Sequence, residues 1–398
     1  MERGKSKKAG LIILAYVAFI SLGLPDGLLG VAWPSIRKNF SLPIDSLGLL
    51  LFASMAGYLT SSFLSGRIMS YLGVGGLLAA SCALTGLGLI GYTLAPVWWM
   101  IIILGAFAGL GAGAIDAGIN NYVAANFAES QMQWLHASFG IGITLGPIIM
   151  TAGINFYNSW RLGYTVVGTA QVILAISFAL SASMWHGKNE GNKNSNAEVR
   201  DNITDYRTPL NQTLRQVSVW ISILLFFIYA GVEASLGNWA YTLLTESRGI
   251  RPEIAGLFVG SYWASFTIGR IIAGVYTRYI TLRKLIIISL SAAFAGAVLL
   301  LLDTGEAGSL TGVAIIGFAI APIFPGMVSG TKDRVSPKFI ANTIGMQIGA
   351  AGLGVAVLPG LAGALARQTS LEVIPIFLIV MILLLSGLYT LSLRVKTK

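Results

Sequence analysis

Twelve long apolar stretches, each long enough to cross a lipid bilayer, constrain the fold of this chain more than any other feature. They lie at approximately 9–34, 46–70, 74–95, 98–126, 134–157, 161–185, 216–244, 253–277, 284–303, 308–330, 339–366 and 371–394. A segment of about 20 apolar residues spans the hydrocarbon core as a helix, because a helix satisfies its own backbone hydrogen bonds in lipid. The sequence therefore predicts an all-α polytopic membrane protein with twelve transmembrane helices.

The composition excludes an ordinary soluble enzyme. Charged residues make up 11% of the 398 residues and hydrophobic residues 55%, whereas a soluble domain carries about 25% charged residues. The single cysteine, Cys82, lies in an apolar stretch, so no intramolecular disulfide can form. The sequence also lacks a Cys/His cluster with zinc-ligand spacing and a phosphate-binding G-x-x-x-x-G-K-[ST] motif. We therefore expect no enzyme activity, no cofactor and no metal site.

The basic residues predict how the chain is oriented in the membrane. There are 26 lysines and arginines against 16 acids, which gives a formal net charge of +10. With the N-terminus inside, 20 of the 26 fall on the inner side and six on the outer side. Because cytoplasmic loops hold the excess of Lys and Arg, we expect a cell-membrane protein with both termini in the cytoplasm. Positive charge spread between apolar stretches is typical of membrane orientation, so we expect no nucleic-acid partner.

A long polar segment divides the chain into two halves. Residues 186–215 are rich in Asn, Glu, Lys and Gly, a composition that cannot bury a core. We interpret this segment as a cytoplasmic linker between an N-terminal six-helix bundle, residues 1–185, and a C-terminal six-helix bundle, residues 216–398.

An internal repeat supports this division. The heptapeptide Ser62–Ile68 recurs in similar form as Ser265–Ile271, 203 residues later. Asp26, followed by Gly30 and Trp33, is echoed by Glu233, followed by Gly237 and Trp239. Two echoes in the same order indicate two six-helix pseudo-repeats.

Three acids fall inside the predicted helices: Asp26, Asp116 and Glu233. A carboxylate in the bilayer costs about 2.5–3.5 kcal/mol or more, so such a group faces a cavity or a partner and marks a functional site. Desolvated acids can take up and release protons at working pH, and we interpret all three as candidates for proton coupling. A neutral acid hydrogen-bonded between helices and a sodium ligand are the alternative interpretations.

Asp116 and a nearby amide form a polar group that can bind a sugar. Asn120 lies four residues further on, so the two side chains share one face of a helix and offer both donors and acceptors to sugar hydroxyls. Three glycines upstream, Gly105, Gly109 and Gly113, form a strip that allows close helix packing. We expect Asp116 and Asn120 to bind substrate.

Other polar and aromatic residues in or beside the predicted helices extend the candidate site. Aromatic faces with nearby amides suit a sugar, although Trp and Tyr also anchor helices at interfaces. The further candidates for substrate binding are Asn121, His136, Asn238, Trp239, Tyr262, Trp263, Asn342 and Gln347. No Lys or Arg lies in the middle of a predicted helix, which disfavours a strongly anionic substrate.

Five segments carry a resemblance to a known family. They are Ala56–Tyr58, Gly111–Asn120, His136–Pro147, Tyr229–Trp239 and Tyr262–Arg270. On these segments the chain resembles, along essentially its whole length, the fucose, galactose and hexose symporter branch of the major facilitator superfamily, which includes fucose permeases and sodium-dependent glucose transporters. The resemblance implies the major facilitator fold, with a substrate site near the midplane between the two halves.

The resemblance also implies roles for two of the acids. In fucose permeases an acid in the first helix and one in the fourth carry proton coupling and sugar contact, and Asp26 and Asp116 occupy the matching places. There are two departures. In the loop after the second helix, residues 66–73 keep only fragments of the superfamily's Gly, Asp and basic pattern. The fifth helix starts with His136–Gly140, unlike that of fucose permeases, which disfavours fucose as the specific substrate.

The sequence thus predicts a secondary active transporter, a proton- or sodium-coupled symporter of a neutral hexose-like sugar that works by alternating access in the bilayer as a monomer. A proton-coupled drug or metabolite exporter is the alternative, because Gly142-x3-Gly146-Pro147 meets most of the exporter pattern G-x-x-x-G-P-x-x-G, with Met150 in place of the last glycine. A membrane sensor that binds sugar without transport is a third interpretation.

Overall fold

The computed structural model describes residues 2–126, 129–185, 210–276 and 279–395, and in these ranges the chain is helical without strands. The long helical segments are α1 (Glu2–Asn39), α2 and α3 (the two parts of Leu47–Leu94), α4 (Trp98–Asn126), α5 (Glu129–Tyr157), α6 (Trp160–Leu180), α7 (Val217–Thr242), α8 (Pro252–Tyr276), α9 (Leu282–Leu301), α10 (Glu306–Ile320 with Ile323–Ser329), α11 (Ile340–Gln368) and α12 (Val373–Ser392). Shorter helical turns lie at Ile44–Ser46, Ala182–Trp185, Leu210–Thr213, Leu243–Ser247, Thr331–Arg334 and Pro337–Phe339.

These helices confirm the predicted twelve-helix, all-α architecture. Eleven helical segments of the described residues are long and apolar enough to cross a membrane. The twelfth, α8, has 25 residues and matches the predicted stretch at 253–277. The sequence also predicted the break between α2 and α3, where Gly73 has a φ of 68°. Glycine adopts this left-handed backbone without steric cost, so the chain can bend here between two apolar stretches.

The chain forms two compact units. The first comprises Met1–Gly187 and Gly237–Ala264, and the second comprises Lys188–Leu236 and Ser265–Lys398. The predicted linker falls largely on residues 186–209, which lie outside the described ranges. The predicted bundle boundaries at 185 and 216 stay a prediction.

Glycines bring the helices of the first unit into close contact. On α4, a Cβ at Gly109 or at Gly113 would overlap the backbone of α2 at Ser54 or Tyr58. The predicted glycine strip therefore packs along α2, and only glycine allows these backbones to approach so closely.

A close glycine contact of a second kind is found once in each unit. In the first unit, Gly142 of α5 lies against the backbone of Ile20 in α1. In the second unit, Gly354 of α11 lies against the backbone of Phe227 in α7. The same type of close helix contact thus joins the first and fifth helices of each predicted repeat, which supports the duplicated architecture.

The end of α7 and the start of α8 pack with the first unit. Gly30 of α1 lies against the backbone of Gly237 and Asn238. At the end of α1, Arg37 Nη2 donates to Glu246 Oε2 at 2.6 Å in an ion pair whose side chains are partly exposed. These contacts explain why residues 237–264 belong to the first unit.

Candidate functional site

Asp116 of α4 is the centre of the polar group in the first unit. Its Oδ2 accepts a hydrogen bond of 2.5 Å from the Tyr58 hydroxyl of α2. Its Oδ1 accepts one of 2.9 Å from Asn120 Nδ2, one turn further along α4. Both carboxyl oxygens therefore have a neutral donor, and the i,i+4 spacing places Asp116 and Asn120 on one face, as expected.

The glycine strip positions this group. The backbone of Tyr58 lies directly against Gly113, three residues before Asp116. A larger residue at position 113 would push α2 away from α4 and lengthen the bond between Tyr58 and Asp116. The packing glycine is thus also what brings the phenol within reach of the acid.

Two charged or titratable side chains on other helices act on this pair. His136 of α5 attracts Asp116 electrostatically, and the charge of Asp26 on α1 acts on the Tyr58 phenol. The His136 ring packs edge-on against Phe19, with centroids 5.9 Å apart. Asp26 and His136 are exposed in the isolated chain, whereas Asp116 and Asn120 are half-buried. Four helices, α1, α2, α4 and α5, therefore supply this polar group.

The acid of the second unit has a different environment. Glu233 is half-buried on α7 and is attracted by Arg270 of α8. The Arg270 guanidinium lies over the Phe266 ring, 4.3 Å from its centroid. Beside Glu233, the Tyr229 hydroxyl hydrogen-bonds with the Glu233 side chain and also donates to the carbonyl oxygen of Ile320 at 3.1 Å. Glu233 thus has a neutral tyrosine and a permanent cation nearby, whereas the two groups that donate to Asp116 are neutral.

Four of the further candidates lie at the junction of α7 and α8 in the first unit. Trp239 and Tyr262 are fully buried, and the rings of Tyr262 and Trp263 meet edge-on at 4.7 Å. The backbone of Asn238 lies against Gly30 of α1, and the Trp263 ring lies against Gly237. The structure therefore packs the Trp263 ring of α8 against α7 at Gly237, next to Asn238.

The last two described candidates make hydrogen bonds inside the second unit. Buried Gln347 donates to the Thr331 hydroxyl at 3.0 Å, and buried Asn342 donates to the Thr213 hydroxyl at 3.2 Å. Near them, Arg334 Nη2 donates to the carbonyl oxygen of Met327 at 2.5 Å, and burial lowers the pKa of this arginine. The roles of Asn342 and Gln347 in substrate binding stay predictions. The side chain of Asn121 lies outside the described residues.

Two residues of the polar groups were missed by the sequence reasoning. Tyr58 ends the Ala56–Tyr58 segment, and its hydrogen bond to Asp116 depends on how α2 is rotated against α4, which the sequence does not specify. Arg270 ends the Tyr262–Arg270 segment, and the sequence gives no indication that it acts on Glu233. Within the described residues, no group of three or more His, Cys, Asp or Glu side chains could hold a metal ion.

Comparisons with known proteins identify the family. The profile of the Major Facilitator Superfamily matches residues 15–338. The chain is 23% identical to the glucose/mannose transporter GlcP of Bacillus subtilis (strain 168), over 98% of this chain and 96% of that protein. It is 22% identical to the sodium-dependent glucose transporter 1A of Mus musculus, over 79% of this chain and 80% of that protein.

A solved structure agrees on the fold. The crystal structure of a D-xylose-proton symporter superposes with a TM-score of 0.73 at 13% identity, over 94% of this chain and 96% of that one. The chain therefore belongs to the Major Facilitator Superfamily, a family of membrane transporters rather than enzymes. The relatives confirm the resemblance to the hexose symporter branch.

Proposed function

We propose that this member of the Major Facilitator Superfamily is a secondary active transporter that carries a neutral hexose-like sugar together with a proton by alternating access. Asp116 carries this proposal, because it is an acid within a membrane-spanning helix whose neighbours are donors to sugar or carboxyl oxygens. The two relatives, named for glucose, mannose and sodium-dependent glucose transport, support a hexose as the substrate.

A proton fits this group better than a sodium ion. Sodium is a hard cation that needs several oxygen ligands, whereas in the structure the Tyr58 O–H points at the carboxyl group and Asn120 presents its amide nitrogen rather than its amide oxygen. A carboxyl group with hydrogen-bond partners on both oxygens can gain or lose a proton without rebuilding a coordination shell. We further propose a monomer in the cell membrane with both termini in the cytoplasm.

The exporter interpretation has less support. Its motif residues Gly142 and Gly146 both lie against the backbone of α1, near Ile20 and Leu24. Close packing of α5 on α1 accounts for both glycines, so no antiport mechanism is needed to explain them.

Uptake into proteoliposomes tests the proposal. Labelled glucose and mannose are supplied with an inwardly directed proton gradient, with an inward sodium gradient, or with neither, and labelled glucuronate is the charged comparator. We expect accumulation of a neutral hexose with the proton gradient alone, and its collapse on addition of a protonophore. Accumulation with sodium alone would overturn proton coupling, and transport of glucuronate without any hexose would overturn the substrate class.

A further inference from the structure

The Tyr58 hydroxyl can change from donor to acceptor by turning one O–H bond, whereas Asn120 would have to flip its whole side-chain amide. Both groups donate to the Asp116 carboxyl in the structure. The Asn120 amide nitrogen is a donor with no accepting lone pair, whereas a phenol can donate and accept through the same oxygen. Between these two neighbours of Asp116, the phenol oxygen is therefore the one placed to respond when Asp116 itself becomes a donor.

Protonation of Asp116 forces such a response. A protonated carboxyl carries an O–H that needs an acceptor, because a buried donor without a partner is costly. If the proton settles on Oδ2, the Tyr58 hydrogen that now points at Oδ2 has to turn away, and Tyr58 Oη becomes the acceptor. No covalent bond breaks in the phenol, because the added proton comes from the aqueous side and Tyr58 only rotates its O–H.

We propose that Tyr58 is a positioning residue whose hydroxyl reverses its hydrogen bond with Asp116 each time this acid gains or loses a proton. The proposal rests on the proposed function, because it assigns Tyr58 a part in the proton coupling at Asp116. The backbone contact between Tyr58 and Gly113 holds α2 in place, so rotation of one O–H bond is the motion required.

Reversal of the hydrogen bond between Tyr58 and Asp116 changes the electrostatic environment of groups on the neighbouring helices. Within the described residues, the titratable groups that act electrostatically on Asp116 or Tyr58 are His136 of α5 and Asp26 of α1. When the Tyr58 hydrogen leaves Asp116, it becomes free to orient in the field of Asp26. A proton on Asp116 thereby changes the environment of the second predicted coupling acid on α1.

Infrared spectroscopy tests this step without any substrate. The purified protein in lipid is titrated over a wide pH range, and the protonated-carboxyl band of Asp116 is identified by its loss in Asp116→Asn. In Tyr58→Phe, which removes the hydroxyl and keeps the ring, we expect this band to shift in frequency and its titration midpoint to move by about one pH unit or more. The control is Tyr164→Phe on α6, a buried tyrosine packed against Tyr92 with centroids 5.2 Å apart, for which no change is expected.

The outcomes separate the inference from the proposed function. A Tyr58→Phe band with wild-type frequency and midpoint, or the absence of any band that Asp116→Asn removes, would overturn the reversal. Hexose uptake is measured on the same preparations. If wild-type protein transports no hexose while the Asp116 band still shifts in Tyr58→Phe, the proposed function fails and the hydrogen-bond reversal stands. If hexose is transported and the Asp116 band is unchanged in Tyr58→Phe, the proposed function stands and the hydrogen-bond reversal fails.

Discussion

Asp116 in the first unit and Glu233 in the second are both half-buried acids beside a tyrosine, yet their partners differ in charge. Asp116 is held by the neutral Tyr58 and Asn120, with a titratable histidine nearby. Glu233 is attracted by the permanently charged Arg270. A proton added to Glu233 would remove the negative charge that Arg270 attracts, which is costly, whereas a proton on Asp116 requires only that a hydrogen bond reverses.

The comparison indicates that the position of an acid within a helix does not by itself define its role. We expect Asp116 to change its charge during transport and Glu233 to keep Arg270 compensated. The assignment of Glu233 as a coupling acid stays a prediction, and its charged partner favours a structural role. The following tests separate the two environments.

The largest effect is expected at Asp26, the acid on α1 whose charge acts on the Tyr58 hydroxyl. Asp26→Asn should abolish hexose accumulation driven by a proton gradient and leave hexose exchange measurable, because the amide keeps the size and polarity but binds no proton. Asp303→Asn, in the loop after α9, is the matched control, since Asn tolerates the positive φ of 45° found there. Full accumulation by Asp26→Asn would remove this acid from the mechanism.

The second test concerns the electrostatic attraction between Arg270 and Glu233 in the other unit. Arg270→Gln should destabilise the protein by about 1–3 kcal/mol, because the half-buried Glu233 loses this attraction. The double variant Glu233→Gln with Arg270→Gln should regain most of this stability. Thermal unfolding in detergent measures both effects. A single variant as stable as wild type would show that Arg270 does not compensate Glu233.

Substrate affinity tests whether Asp116 and Asn120 act as one unit. Asn120→Ala and Asp116→Asn should each cost about 1–3 kcal/mol of hexose binding, because each leaves a half-buried partner unsatisfied. The double variant should cost less than the sum, since residues that share contacts couple. Calorimetry measures all three affinities. Wild-type affinity in both single variants would contradict this assignment of the sugar site and leave Asn238 and Trp239 as the next candidates.

The smallest effect is expected at the ion pair between Arg37 and Glu246, which is partly exposed at the end of α1. Arg37→Ala should lower the free energy of unfolding by about 0.2–1 kcal/mol, as is usual for a surface salt bridge, and high salt should reduce the difference. Lys38→Ala is the control, because it removes the neighbouring positive charge and leaves the ion pair between Arg37 and Glu246 in place. A loss as large as that for Arg270→Gln would contradict the distinction between the partly exposed Arg37–Glu246 ion pair and the attraction of Glu233 by Arg270.

Much of the fold could be predicted because lipid imposes a simple rule on length and polarity. The predicted last stretch, 371–394, differs from the observed helix Val373–Ser392 by two residues at each end. The partnership of Asp116 with Asn120 was also predictable, since it depends only on spacing within one helix.

Contacts between helices were not predictable in the same way. The bond from Tyr58 to Asp116 joins residues 58 positions apart, and the attraction between Glu233 and Arg270 joins two different helices. Both depend on how each helix is rotated about its axis, which an apolar stretch without a strong polar face leaves open. The glycine strip on α4 gave one such constraint, because it marks a face of that helix that can meet a neighbour closely.

Hexose-driven proton movement tests the central claim most directly. Proteoliposomes are given a hexose without an imposed gradient, and the external pH is followed for wild type, for Asp116→Asn and for the paired variant Glu233→Gln with Arg270→Gln. We predict alkalinisation outside for wild type and for the paired variant, and none for Asp116→Asn, which should still exchange labelled hexose once a higher hexose concentration offsets its weaker binding. Proton uptake that persists in Asp116→Asn and disappears in the paired variant would contradict the account.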